Sequence, residues 1–258
     1  MAEIKPQVYK DTRPAEYFDQ FHERARSREP DAMYEVVRAV VTPLLLGVYR
    51  TRAIGTEYVP SEGPVLLAPN HFSQLDHFLA GVYLRRKIRF MAKSQLFGPP
   101  GLTWIYRHGG VFPVRRGHRD DEAFKTVNAI FDRGGTVLVY AEGGRSRTGG
   151  LGEPRPGIGK IALESGVPVV PVAIYGSGSV RKWKKLAFPK VTVQFGEPIT
   201  FPVNPEPDRE QQQLASNRIF DQVKLMYSGI EEKGRRGVKQ ALKEQLPAPD
   251  PGEPSPRS

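Results

Sequence analysis

The sequence predicts an α/β fold, a mixed sheet flanked by helices, with an N-terminal amphipathic helical pair in front of it. Two observations predict it. Short apolar runs with strand character alternate with stretches of helical periodicity along most of the chain. Several of the connections between those runs are too short for a helical crossover, which makes the sheet mixed rather than strictly parallel. The chain of 258 residues is long enough for one large α/β domain, and 39% apolar residues supply an ordinary core.

The elements follow in order. Pro14 precedes Tyr17, Phe18, Phe21 and His22, the pattern of a short amphipathic helix. Pro30 breaks the chain and Asp31 caps a second helix, with Met33, Val36, Val37, Val40, Val41 and Leu44 on its apolar face. Residues 52–57 read as an edge strand and 60–63 as a turn. Strands are expected at 64–68, 88–92, 109–115, 136–140, 167–174 and 191–195. Helices are expected at 75–83, 104–106, 120–131, 159–164 and 208–226, and 96–101 reads as a loop. These elements divide the chain into an N-terminal helical segment (1–50), a main domain (51–229) and a tail (230–258) whose Pro, Glu, Lys and Arg content predicts disorder.

Composition narrows the chemistry. There is no cysteine, which removes disulfides, thiolate metal sites and a cysteine nucleophile. The formal net charge is +10, and the excess is local. Nine Lys and Arg fall within residues 85–119 with no Asp or Glu among them, and Arg181, Lys182, Lys184, Lys185 and Lys190 form a second cluster. Such patches suit polyanions: nucleic acid, an anionic membrane or a phosphorylated substrate. The first residues lack the apolar core of a secretory signal. The most apolar stretch, 39–49, lies between Arg38 and Arg50 and is shorter than the ~20 residues of a spanning helix. Pro43 is expected to kink it. It suits a core helix or one lying in a membrane interface.

Chemistry concentrates at 69–77, Pro-Asn-His-Phe-Ser-Gln-Leu-Asp-His, where an apolar strand ends and a helix begins. Open α/β sheets place their sites there. Ser73 and Asp76 have capping-box spacing, which leaves His71 just outside the helix. Asp76 then either caps the helix alone or also orients the imidazole, freeing its other nitrogen as a base. His71, Asp76 and His77 do not have zinc-like spacing, and no metal is expected. A second constellation, Glu142-Gly143-Gly144-Arg145-Ser146, also follows a strand. Its glycines allow close backbone approach and Arg145 suits a phosphate. Arg115, at the end of 109–115, is a third candidate. Gly157-Ile158-Gly159-Lys160 lacks the first glycine of a P-loop, and Gly176-Ser177-Gly178-Ser179-Val180 is not a nucleophile elbow.

His71 and Asp76, then 110–115, then Glu142-Gly143-x-Arg145-Ser146, then Val167-Pro168-Val169-Val170-Pro171-Val172, have the order and spacing of four motif blocks. In this the chain resembles the glycerolipid acyltransferases, most of all the PlsC-type 1-acylglycerol-3-phosphate acyltransferases, over about residues 50–200. The resemblance implies that fold. It also implies acyl transfer from acyl-CoA or acyl carrier protein to the sn-2 hydroxyl of 1-acylglycerol 3-phosphate, giving phosphatidate. His71 is then the general base and Asp76 its orienting carboxylate. Arg115, Glu142, Gly143 and Arg145, with Lys93, form the acceptor-phosphate site, and the 167–172 block lies near the acyl chain. Ala141 and Gly144 depart from the family's Pro and Thr, which bears on the acceptor.

The alternatives are another acceptor (glycerol 3-phosphate, a lysophospholipid or an amino-lipid), or an inactive basic lipid-binding protein. No cofactor is implied beyond the co-substrate thioester. The implied partners are an anionic lipid surface, lysophosphatidate and acyl carrier protein, without nucleic acid. The implied location is the cytoplasmic face of a membrane, with the helix at 36–49 in its interface.

Overall fold

The computed structural model describes residues 11–116, 120–146, 149–178 and 189–245. Seven strands form one sheet: β1 (Arg52–Ile54), β2 (Val65–Pro69), β3 (Ile88–Lys93), β4 (Val111–Val114), β5 (Thr136–Leu138), β6 (Val169–Tyr175) and β7 (Thr192–Phe195). Their order is β1-β7-β6-β2-β5-β3-β4. Among the described residues every strand pairing is parallel except β6–β7, so the sheet is mixed as expected, although β6 and β7 are separated by residues 176–191 and not by a short connection.

Helices cover both faces: α1 (Asp19–Ser27), α2 (Ala32–Gly47), α3 (Asp76–Gly81), α4 (Pro100–His108), α5 (Asp121–Asp132), α6 (Pro156–Ser165) and α7 (Arg209–Gln245). Side chains of a strand alternate between faces, and β2 shows what that accomplishes. Val65 and Leu67 pack with Leu45 of α2, Leu79 of α3 and Phe195. Leu66 and Ala68 pack with Val127 of α5, Ile161 of α6 and Ile219, Phe220 and Val223 of α7. All four of these β2 residues have no exposed surface, which is why the strand reads as an unbroken apolar run.

Several expectations meet corrections. The segment from 230 is not disordered through its described part: α7 runs to Gln245, broken by non-helical backbone at Gly234 (φ 65°, ψ 173°). Residues 246–258 lie outside the described residues. The short helix expected at 104–106 is the nine-residue α4, which begins inside the expected loop because Pro100 takes a first-turn position where no N–H is needed. The basic run of 85–119 is partly structural. Arg86 donates to the Pro60 and Gly134 carbonyls, Lys87 to the Pro30 carbonyl, and buried Arg89 pairs with Glu29. Arg119 and the 181–185 cluster lie outside the described residues.

The two N-terminal helices serve different surfaces. The Asp31 carboxylate caps α2 by accepting from the Met33 N–H (3.1 Å). The turn at Ala15–Phe18 and α1 pack inward through Phe18 and Phe21 against Ala92 and Phe97. Helix α2 buries Tyr34 and Leu45 but leaves Val36 52% and Val40 70% exposed. No helix among the described residues is long and apolar enough to cross a membrane.

Gly159 shows how closely α6 and α7 meet. Its N–H donates to Ser216 Oγ (2.9 Å), and a Cβ there would stand 1.9 Å from the Gln212 carbonyl oxygen. The glycine that resembles part of a P-loop is a packing residue. Gly159→Ala is expected to destabilise the fold by about 3 kcal/mol through overpacking; a urea midpoint equal to that of wild type would show that the helices do not meet this closely.

Candidate active site

The site forms where β2, the middle strand of the sheet, ends. Asn70 anchors that end: its Nδ2 donates to the Ile174 carbonyl (3.0 Å) and its Oδ1 accepts from the Ile174 N–H (2.7 Å). The chain after β5 shadows β2 further than the strand itself, with the Val139 N–H on Leu67 O (3.0 Å) and the Ala141 N–H on Pro69 O (3.3 Å). That places 141–146 beside His71.

Asp76 resolves the two readings of its spacing, because it does both. One oxygen, Oδ2, accepts from His71 Nδ1 (2.9 Å) and from the backbone N–H groups of Phe72 and Ser73 (2.7 Å each). The Ser73 contact is half of a capping box. Ser73 Oγ accepts from the Leu75 N–H (3.2 Å), and α3 begins at Asp76 rather than beside Ser73. With Asp76 accepting, Nδ1 carries the proton and Nε2 keeps its lone pair.

The imidazole is held flat as well. The Tyr140 ring stacks on it, with centroids 3.7 Å apart and 17° between planes. His77 meets it edge-on at 5.4 Å. Burial pushes the His71 pKa below its ordinary value; the Asp76 hydrogen bond and charge raise it, and the charges of Arg145 and Arg116 lower it again. His77 is held at about 4, chiefly by burial and then by the His71 charge. Both rings are neutral at pH 7. Among the described residues no group of His, Cys, Asp and Glu could hold a metal ion.

Glu142 does not reach outward as a ligand would. Its Oε1 accepts from the His71 N–H and its Oε2 from the Gly152 N–H (2.9 Å each), so it clamps the two loops together. Burial raises its pKa against the pull of those two N–H groups. Gly143 turns the chain at φ 65°, in the left-handed region that favours glycine, and the Ser146 N–H returns to the His71 carbonyl (2.8 Å).

The cations divide differently from expectation. Arg115 turns to the N-terminal segment: its N–H donates to Asp120 Oδ2 (2.5 Å) and its Nη2 to the Arg13 carbonyl (3.3 Å). Its neighbour Arg116 is the one whose charge acts on His71. Lys93 ends β3 and is held below its ordinary pKa by burial, then by Arg145 and Arg116. Lys93, Arg116 and Arg145 are therefore one positive field beside the imidazole. Next to His77 lies an apolar cavity of about 450 Å3 among α2, α3, α4, β3 and β4, lined by Tyr34, Phe78, Phe90, Leu102, Ile105 and Val111.

Residues 50–175 match the model of the Acyltransferase family. The chain carries an acyltransferase-family domain. It is 32% identical over 135 residues to a chloroplastic 1-acyl-sn-glycerol-3-phosphate acyltransferase of Brassica napus, covering 51% of this chain and 39% of that one. It is 30% identical over 159 residues to a probable 1-acyl-sn-glycerol-3-phosphate acyltransferase of Mycoplasma genitalium, covering 59% of each. A glycerol-3-phosphate acyltransferase of Pseudomonas syringae pv. tomato is 26% identical over 212 residues, 66% of this chain and 26% of that one. The chain thus spans less than two thirds of the length of these relatives. The fold is that of the 1-acyl-sn-glycerophosphate acyltransferase PlsC from Thermotoga maritima, with a TM-score of 0.57 at 23% identity over 84% of this chain and 89% of that one.

Within the acyltransferase-family domain the structure brings His71, Asp76, Glu142, Gly143, Arg145 and Lys93 to one end of the sheet, and it sets Arg115 Nη2 against the Arg13 carbonyl. Sequence reasoning missed Asn70, Tyr140 and Arg116. The Arg115-Arg116 pair was visible, but not that the Arg116 charge is felt at His71.

The opposing influences on His71 have separable signs. By NMR titration of the imidazole, Asp76→Asn is expected to lower the His71 pKa, and Arg145→Gln to raise it. A His71 pKa that ignored both changes would refute this account of its surroundings.

Proposed function

We propose that this protein transfers a fatty acyl group from a thioester to the sn-2 hydroxyl of 1-acylglycerol 3-phosphate. The observation that carries the reading is His71, buried, neutral and fixed through Nδ1 by Asp76, with a positive field on one side and an apolar cavity on the other. His71 Nε2 takes the proton of the acceptor hydroxyl as its oxygen attacks the thioester carbonyl carbon. The carbon–sulfur bond then breaks, and the leaving thiolate takes the proton back from His71. No acyl-enzyme is needed. Lys93, Arg116 and Arg145 supply charge for the acceptor's phosphate, and the cavity beside His77 suits an acyl chain.

A second acceptor, glycerol 3-phosphate, is favoured by the relatives that carry its name. It offers the same phosphate to the same cations but has no acyl chain for the cavity.

A membrane supplies the lipid substrates, and the cavity mouth suits that source. Val36 and Val40 of α2 and Leu102, Trp104 and Ile105 of α4 are exposed on the helices that border it. We read this as the surface that rests in the interface, with Trp104 at headgroup depth.

Thiol release from palmitoyl-CoA or oleoyl-CoA, with lysophosphatidate, glycerol 3-phosphate or lysophosphatidylcholine as acceptor, tests the reaction. His71→Ala is expected to lower kcat about 10^2- to 10^4-fold with lysophosphatidate, the worth of a positioned base. Lysophosphatidate-dependent release that survives the change would remove His71 as the base. The wild-type kcat/KM, which reports the free enzyme, is expected to fall with acid only below the ordinary imidazole range, because the base is lost as pH drops through a lowered pKa. In a vesicle-flotation assay Val40→Glu is expected to weaken binding to bilayers; equal flotation of the variant would place the membrane surface elsewhere.

A further inference from the structure

A second cavity, of about 690 Å3, opens at the β1 edge of the sheet and has a different character. Its lining is Arg50, Arg52, Lys190, Lys233, Arg235 and Arg236 around Gly234. Among the described residues six cationic side chains line it, and no carboxylate does. They come from the approach to β1, the approach to β7 and the second half of α7, nearly two hundred residues apart in sequence.

The arrangement is built rather than incidental. Arg235 Nη1 and Nη2 both donate to the Arg50 carbonyl (3.1 Å each), Nη2 also to the Val191 carbonyl (2.8 Å), and Nε to Thr192 Oγ1 (3.1 Å). Those bonds fasten α7 to the start of β1 and β7. Gly234 interrupts the helix at the cavity, and Arg50 sits at φ 43°, the left-handed conformation that a side-chain-bearing residue adopts only at a cost. Burial, and then the Arg52 and Arg50 charges, hold the Arg235 guanidinium below its ordinary pKa. Crowded like charges in a concave surface repel, and a bound anion relieves them.

Strand register places this cavity at the same end of the sheet as His71. Arg52 is level with Thr192, Thr192 with Tyr175, and Val172 with Pro69, two residues before His71. Three inter-strand spacings separate β1 from β2, ~14 Å at 4.7–4.9 Å each. The apolar cavity lies towards β3 and β4, on the other side of His71. The line therefore runs from apolar cavity to imidazole to basic cavity.

Acyl-CoA has the same order of parts: acyl chain, thioester, an arm, and a nucleotide with three phosphates. The pantetheine arm has about the contour of four extended residues, ~14 Å. We propose that the basic cavity binds the 3′-phosphate and 5′-diphosphate of coenzyme A, so that the donor lies along the C-terminal edge of the parallel strands with its thioester at His71. The inference rests on the acyl-transfer reading and names the donor. A concave site favours this compact cluster of phosphates over a flat bilayer or a carrier-protein helix.

Calorimetric titration of the full chain with coenzyme A and with 3′-dephospho-coenzyme A tests it. Lys190→Glu/Lys233→Glu changes two exposed side chains of the lining, and Lys233→Gln serves if the double variant does not fold. Coenzyme A is expected to bind the double variant on the order of tenfold or more weakly, the loss from removing charge-assisted bonds. Loss of the 3′-phosphate is expected to weaken binding to wild type and to matter little in the variant. Equal affinity of the two proteins for coenzyme A overturns the proposal. So does loss of phosphatidylglycerol-vesicle binding with coenzyme A affinity intact, which would make the cavity a lipid-headgroup site. Coenzyme A binding that drops in the variant, in a protein that releases no thiol with any acceptor, supports the cavity and overturns the transfer reading alone.

Discussion

One carboxylate oxygen organises the site. Asp76 Oδ2 accepts from the His71 ring and from two successive backbone N–H groups, all within 2.7–2.9 Å. A buried carboxylate is costly unless it is hydrogen-bonded, and charge-assisted bonds to N–H donors are the strong kind. Asp76 also opens α3, where the helix end favours negative charge. The same oxygen therefore closes the turn out of β2, starts the next helix and fixes the tautomer of His71. None of these can be withdrawn without disturbing the others, so the geometry of the imidazole is as rigid as the strand-to-helix connection itself. Glu142 repeats the device from the opposite loop, spending its two oxygens on the N–H groups of His71 and Gly152.

The positive field and the base oppose each other. Arg145 and Arg116 lower the proton affinity of His71 while Asp76 raises it. On the proposed function this opposition is useful. With the acceptor site empty, burial first and then the arginines keep the imidazole neutral and ready to accept. A phosphate bound among Lys93, Arg116 and Arg145 offsets their charge and makes the same imidazole a stronger base. Acceptor binding and base strength are then coupled through electrostatics alone, with no movement required.

Much of this was legible in the chain, for identifiable reasons. The β2 strand announces itself because both its faces are buried. His71 and Asp76 stand out because their spacing makes sense only at a strand-to-helix turn. Arg116 was not legible: the strand ends at Val114, and beyond it alternation no longer says which of two adjacent arginines is felt at His71. The end of α7 was not legible either. Its apolar anchors Ile230 and Val238 are spaced across a glycine in a highly charged stretch, and composition there reads as disorder. The partners of Glu142 were not legible, because sequence shows a carboxylate near a site and not that its oxygens meet the N–H groups of His71 and Gly152.

The antiparallel pairing of β6 with β7 accounts for the part of the molecule that sequence could not foreshadow. Because β7 runs against β6, and β1 runs with β7, the start of β1 lies at the end of β2. Had β7 joined the sheet in parallel, Arg50 and Arg52 would open on the far side, ~17 Å away along a five-residue strand. The reversal also brings Lys190, at the approach to β7, to the same end. Arg235 then secures the arrangement by bonding the Arg50 and Val191 carbonyls together from α7. One change of strand direction thus puts a cationic cavity and a buried histidine on the same edge, at a separation that a single extended ligand can bridge.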